Sequence, residues 1–95
     1  MIRQRWFGAT GQRVPELAVE GDPDVPLDHA LVLDDVSDEK RLHAEYEKGT
    51  PIVVRAGNAD EVRRALARPE IASVLVPESA SELLELDLTE LTYGP

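Results

Sequence analysis

A strand followed directly by a helix is encoded in residues 50–66, which read TPIVVRAGNADEVRRAL. Three consecutive apolar residues lie near its start, and such a run is typical of a strand that is covered on both faces. Asn58 then stands three residues before Glu61, the spacing at which a capping side chain and a glutamate satisfy the first amides of a helix. Pro69 ends the helical pattern. The stretch therefore predicts one βα unit.

Two further apolar runs, at residues 30–33 (ALVL) and 73–76 (SVLV), flank this unit on either side. The three runs are centred near residues 31, 53 and 75, an interval of 22 residues, and a helix-start signal follows each. Ser37 is the expected N-cap after the first run and Ser79 after the third. Strands joined through helices must run parallel. The prediction is an α/β fold, a small βαβαβ layer with a mainly parallel sheet.

The amino-terminal segment has a different pattern. Ile2, Gln4 and Trp6 alternate with arginines, glycines follow at residues 8 and 11, and apolar side chains resume at Val14. This pattern predicts a β-hairpin or a pair of edge strands around a glycine turn. We expect a single domain over residues 1–95, with the β segment at 1–21 and the βα units at 29–95. Residues 88–93 are a candidate for a further short strand.

The charge is negative overall and arranged in blocks. Ten Lys and Arg against 19 Asp and Glu give a net charge of −9, distributed as +3 over residues 1–14, −9 over 15–39, +3 over 40–68 and −6 over 69–95. A negative surface repels nucleic acid and anionic lipid, so neither is an expected partner. Blocks of opposite sign either form a solvated surface that keeps the protein soluble or pair with a protein partner or a second copy of the chain, and we expect a homodimer.

Composition excludes several classes of protein. The absence of cysteine excludes a disulfide scaffold and a thiol nucleophile. No apolar run approaches the roughly 18–20 residues of a membrane span, and no apolar stretch of a secretory signal follows the basic amino terminus, so a cytoplasmic location is expected. Neither of the two histidines has another histidine three or four residues away, and a histidine metal site is therefore not predicted.

A candidate ligand site lies where the three parallel strands end, because the helix N-termini also meet there. The polar residues expected at this edge are Asp34, Asp35, Ser37, Arg55, Asn58, Glu78 and Ser79. Carboxylates there are able to hold Mg²⁺, the one cofactor that the sequence suggests, and Arg55 beside a helix start is able to hold a phosphate. The alternative is structural: the capping residues serve their own helices, and Arg55 pairs with Asp34 or Asp35.

A candidate interface lies at the amino terminus, where Arg3 and Arg5 flank the aromatic pair Trp6-Phe7. An aromatic pair is most often part of a core. If Trp6 instead faces solvent between the arginines, it is suited to anchor an interface, because Trp and Arg are enriched there.

Three functions remain open at this point. The favoured one is a non-enzymatic protein-interaction or regulatory module that self-associates. The alternative is a small domain or enzyme that binds a phosphorylated metabolite through Asp34, Asp35, Arg55, Asn58 and Glu78. The third is an acidic regulator that covers a basic surface on a nucleic-acid-handling protein.

Overall fold

The computed structural model describes residues 4–28 and 30–85 and confirms the predicted α/β class. Arg3, His29 and the candidate strand at 88–93 lie outside the described residues. The elements, in chain order, are β1 (Gln4–Trp6), β2 (Arg13–Pro15), β3 (Leu17–Val19), β4 (Leu31–Leu33), α1 (Glu39–Glu47), β5 (Ile52–Arg55), α2 (Ala59–Leu66), β6 (Ser73–Val76) and a 3₁₀ segment (Glu78–Glu85).

The main sheet has four parallel strands in the order β3-β6-β5-β4. The three predicted strands lie side by side and parallel, with Val32 beside Val53 and Val54 beside Val74. The fourth strand, β3, pairs parallel with β6 and was not expected in this sheet. The predicted hairpin is present as β1 and β2, an antiparallel pair outside the main sheet.

Both faces of the sheet are covered, which explains why its strands are apolar on consecutive positions. Leu42 of α1, Leu66 of α2 and Leu83 of the 3₁₀ segment pack on one face, together with Val54 and Val74. The other face carries no helix among the described residues. It is covered by Phe7, Val14, Val25 and Leu27, which pack against Val53 and Leu75. The connection from β3 to β4 thus crosses the sheet and replaces a second helical layer. No helix in the described part of the chain has the length and apolar character needed to cross a membrane.

Helix α1 begins one residue later than the sequence predicted. Asp38, and not Ser37, is the N-cap, and its side chain accepts a hydrogen bond from the Arg41 amide at 3.1 Å. Ser37 is displaced from the cap because its amide and hydroxyl both donate to Asp35 Oδ1. The predicted stop at Gly49 is confirmed. Its φ of +83° suits glycine, and its amide donates to the Tyr46 carbonyl as the helix closes.

The third helical segment also differs from its prediction. Residues 78–85 form a kinked 3₁₀ segment that begins at Glu78, so Ser79 lies inside its first turn and is not the cap before an α-helix. Ala80 has non-helical angles (φ −122°, ψ 31°), which interrupts regular helical hydrogen bonding near the start. Helix α2, by contrast, starts at the predicted cap: the Glu61 amide donates to Asn58 Oδ1 at 2.9 Å.

The hairpin turn is fixed closely to the start of β5. The Ala9 amide donates to the Gly49 carbonyl at 2.9 Å. Gly8 has a φ of +57°, and a β-carbon there would overlap the Gly49 carbonyl oxygen. Glycine is therefore required at position 8 both for its backbone angle and for the close approach.

Candidate functional site

The carboxyl-terminal edge of the sheet is organised around Arg55, the last residue of β5. Its guanidinium binds Glu20 Oε1 through Nε at 3.0 Å and through Nη2 at 2.9 Å. Glu20 directly follows β3, so the addition of this strand to the sheet brings its carboxylate to Arg55. The sequence reasoning missed Glu20 and named Asp34 or Asp35 as the partner. The available signal was its position, one residue after an apolar strand, as Asp34 is after β4.

A cleft of about 630 Å³, here called the α2 cleft, lies between residues 34–39 and helix α2. Three of the predicted residues on the first loop line it, namely Asp34, Asp35 and Ser37, and Arg55 lines it as well. The two hydrogen bonds that Asp35 accepts from the Ser37 hydroxyl and amide lower the pKa of Asp35. This carboxylate thus stays ionised at a lower pH than an isolated aspartate, in a fully exposed turn.

A second cleft of about 520 Å³ opens between Arg55 and Pro77, and Glu20 and Glu78 line it. Arg55 is therefore shared by both clefts. Asn58 and Ser79 line neither of them. The structure brings five of the seven predicted ligand residues to clefts at this edge, but it divides them between two openings.

The charges along the α2 cleft are mostly used within the protein. Arg55 pairs with Glu20, and Arg68 Nη1 pairs with Glu39 at 3.0 Å. Arg64 also lines this cleft and is exposed, and no ion pair joins it to the described residues. The described residues contain no group of three or more His, Asp or Glu side chains arranged to hold a metal ion. Among the described residues, the cleft thus offers one guanidinium without an ion pair, that of Arg64, and Asp34 and Asp35 line the same cleft.

Arg5, predicted at an interface, makes its contacts within the fold. Its Nε donates to Glu16 Oε1 at 3.1 Å, and its Nη1 donates to the carbonyls of Arg68 at 3.2 Å and Ile71 at 2.8 Å. Its Nη2 donates to the carbonyl of Leu66, the last residue of α2. The side chain of Glu16 is 1% exposed and that of Arg5 13%. Arg5 therefore joins the hairpin to the carboxyl end of α2, where helix carbonyls otherwise lack donors.

The two members of the aromatic pair separate. Phe7 is buried in the core, whereas Trp6 is 58% exposed. Trp6 is the half of the pair that faces solvent, and the guanidinium of Arg13 lies over its ring at 4.5 Å from the centroid. Tyr46, in the last turn of α1, is 49% exposed.

Trp6 and Tyr46 line the same cleft, here called the aromatic cleft, at the amino-terminal edge of the sheet. Its volume is about 890 Å³, and its walls come from the hairpin, the end of α1 and residues 69–71. These two are the large hydrophobic side chains that are exposed in the part of the chain that the structure describes. Their convergence on one cleft was not predictable from the sequence, because it depends on how the hairpin docks against α1.

Two carboxylates, Glu47 and Glu70, also line the aromatic cleft. Glu47 Oε1 lies 3.1 Å from His43 Nε2, and Glu70 Oε2 lies 4.0 Å from His43 Nδ1. Glu70 Oε1 faces Arg68 Nε at 3.7 Å. The amino-terminal edge thus combines exposed aromatic rings with acidic groups.

A scan against protein-family models finds no match for the chain, and searches of curated proteins and of solved structures find none either.

Proposed function

We propose that this protein is a non-enzymatic protein-interaction module and that the aromatic cleft is its contact surface. The observation that carries the proposal is the shared position of Trp6 and Tyr46. Large aromatic side chains contribute most when they leave water at an interface, and they are enriched among the residues that dominate binding energy. A chain that exposes both rings on one cleft gains by covering them with a partner.

The arrangement at the opposite edge supports the same proposal. Arg55 is held by Glu20, Asn58 caps α2, and Asp35 holds the turn before α1. These polar groups are engaged in contacts that stabilise the fold. A general base or nucleophile must instead lie within reach of a substrate, in the protonation state that the reaction needs. A regulatory or scaffolding role requires only the contact surface.

Self-association is the first mode to test, because the sequence predicts a homodimer. Light scattering coupled to gel filtration, from low to high micromolar protein, measures the mass. We expect a dimer whose dissociation is promoted by Trp6→Ser and by Tyr46→Ser, since each removes an aromatic surface. Trp6→Phe is the matched control and retains the association. Salt weakens any contribution of the charge blocks, so each sample is run at low and high salt.

Two outcomes contradict this mode. A monomeric mass at every concentration in both salts rules out self-association. A dimer that persists unchanged in Trp6→Ser and Tyr46→Ser places the contact away from the aromatic cleft.

A second candidate function is favoured by one observation, the available guanidinium of Arg64 in the α2 cleft near Arg55. Phosphate groups bind guanidinium through paired, charge-assisted hydrogen bonds. Thermal shift with inorganic phosphate, nucleotides and Mg²⁺ tests it, because a ligand of the native state raises the Tm. A rise that is lost in Arg64→Ala and in the double variant Arg55→Ala with Asp35→Ala supports a phosphometabolite site. The absence of any rise at millimolar ligand rejects it.

A further inference from the structure

We propose that the aromatic cleft receives lysine or arginine side chains from a basic segment of the partner protein. The inference rests on the proposed function and adds to it the chemistry of the partner. It is drawn from the charges that line the cleft, from the aromatic rings beside them and from the net charge of the chain.

The charge balance of the cleft is negative. Three charged side chains line it, namely Arg5, Glu47 and Glu70. Arg5 is engaged with Glu16 and with carbonyl groups of the fold, and Glu70 faces Arg68, so the accessible Glu47 contributes most to the negative sign of the surface. The side chain of Glu47 is 67% exposed, and the group it contacts among the described residues is the His43 imidazole, which carries a charge only when protonated. A cation from a partner meets an accessible carboxylate here.

Glu70 has unused capacity to accept hydrogen bonds. Its Oε1 is buried and receives no hydrogen bond from the described residues. The nearest cationic atom, Arg68 Nε, is 3.7 Å away, which is an ion-pair distance and too long for a hydrogen bond. Arg68 is also shared with Glu39, which its Nη1 reaches at 3.0 Å. One guanidinium is thus shared by two carboxylates, and the negative charge of Glu70 is only partly balanced by Arg68.

The aromatic rings suit the same ligand. A cation over the face of Trp or Tyr is attracted by the ring quadrupole, and the methylene stem of lysine or arginine packs on the ring. The geometry already occurs within the chain, since the Arg13 guanidinium lies 4.5 Å from the Trp6 centroid. Tyr46 presents a second ring to the same cleft.

Charge complementarity selects a basic partner over an uncharged one. The net charge of −9 attracts a basic segment over the length of its approach, and in a second copy of the chain the basic blocks are residues 1–14 and 40–68. A proline-rich segment also binds grooves lined with aromatic residues, but it leaves Glu47 and Glu70 without a partner. A basic segment therefore fits the cleft better than a proline-rich one, because it supplies cations to Glu47 and Glu70.

The test uses Trp6 fluorescence, because Trp6 is the one tryptophan in the chain. The full chain is titrated with blocked octapeptides of alternating alanine and lysine, of alternating alanine and arginine, of alternating alanine and glutamine, and of proline. We expect saturable binding of the two basic peptides, no binding of the glutamine peptide, and weakening by about two- to fivefold in Glu47→Gln. Glu70→Gln and Tyr46→Ser weaken the same binding.

Glu82→Gln is the matched control, since it removes one exposed carboxylate outside the cleft. Equal weakening by Glu82→Gln and Glu47→Gln overturns the inference, because it shows attraction by net charge alone. Binding of the glutamine or proline peptide as tight as that of the basic peptides overturns it too. Because Glu47 is exposed, Glu47→Gln is expected to fold, and it tests the inference even if Glu70→Gln does not fold. The titration is run at a protein concentration at which the chain is monomeric, so that a dimer does not cover the cleft. If no basic peptide binds there while the dimer sensitive to Trp6→Ser forms at higher concentration, only this inference fails and the proposed function stands.

Discussion

Replacement of Arg5 by alanine is predicted to destabilise the protein more than any other single loss of charge among the described residues. The side chain joins β1 to the end of α2 through the Leu66, Arg68 and Ile71 carbonyls, and it neutralises the buried Glu16 carboxylate. The variant removes all of these bonds together. It leaves an acidic group in the interior with one guanidinium fewer to compensate it.

The magnitude follows from the burial of the pair. Removal of one partner from a buried ion pair costs about 3–5 kcal/mol. Small domains unfold with about 5–15 kcal/mol, so Arg5→Ala removes a large fraction of the total. At roughly 4–8 °C per kcal/mol for a domain of this size, a loss of ~3 kcal/mol lowers the Tm by about 12–24 °C.

Urea denaturation followed by far-UV circular dichroism measures the free energy of unfolding. Arg13→Ala is the matched control on the same hairpin, and it loses an exposed cation–π contact worth about 0.5–1 kcal/mol. The double variant Arg5→Met with Glu16→Leu is expected to recover part of the stability, because no charge remains buried although the three carbonyls still lack their donor. A free energy of unfolding for Arg5→Ala within ~1 kcal/mol of the parent refutes the reasoning, since loss of one partner of a buried ion pair costs more than that.

Three further predictions concern local structure. Asn58→Ala loses the α2 cap and lowers the free energy of unfolding by about 1 kcal/mol in urea denaturation; no change there contradicts the cap. Gly11→Ala costs about 1–2 kcal/mol for its backbone angle alone, whereas Gly8→Ala also meets a carbonyl oxygen and costs more in the same assay; equal costs contradict the close approach. Ser37→Ala raises the pKa of Asp35 towards its ordinary value, as an NMR titration of the carboxyl group measures. Because folding lowers this pKa, its contribution to stability is present above the unfolded-state pKa and is lost as the pH falls through the folded-state pKa; an unchanged pKa in Ser37→Ala rejects the assigned cause.

The features that the sequence predicted are those set by near neighbours along the chain. The cap at Asn58 accepts from the amide three residues later, and the stop at Gly49 depends on a backbone angle that glycine adopts easily. The predicted N-cap of α1 was wrong by one residue because two residues able to cap a helix, Ser37 and Asp38, are adjacent in the sequence. The competition is decided by the turn in which Asp35 accepts both bonds from Ser37.

The features that the sequence did not predict depend on residues far apart in the chain. Glu20 meets Arg55 across 35 positions, and Arg5 meets Ile71 across 66. The exposure of Trp6 and the burial of Phe7 follow from the docking of the hairpin, since alternation gives opposite faces to the two residues without saying which face is covered. Similarly, Leu17–Val19 is too short a run to reveal that it completes a parallel sheet.

The strand order has a consequence for how the protein is made on the ribosome. β3 is synthesised early, yet its neighbour in the sheet is β6, whose residues 73–76 emerge much later. Until then Leu17–Val19 has no hydrogen-bonded neighbour in the sheet. Arg5 likewise cannot donate its hydrogen bonds to the carbonyls of residues 66–71 before these residues are synthesised. The native contacts of the amino-terminal third therefore form only after residues 66–76 have been synthesised.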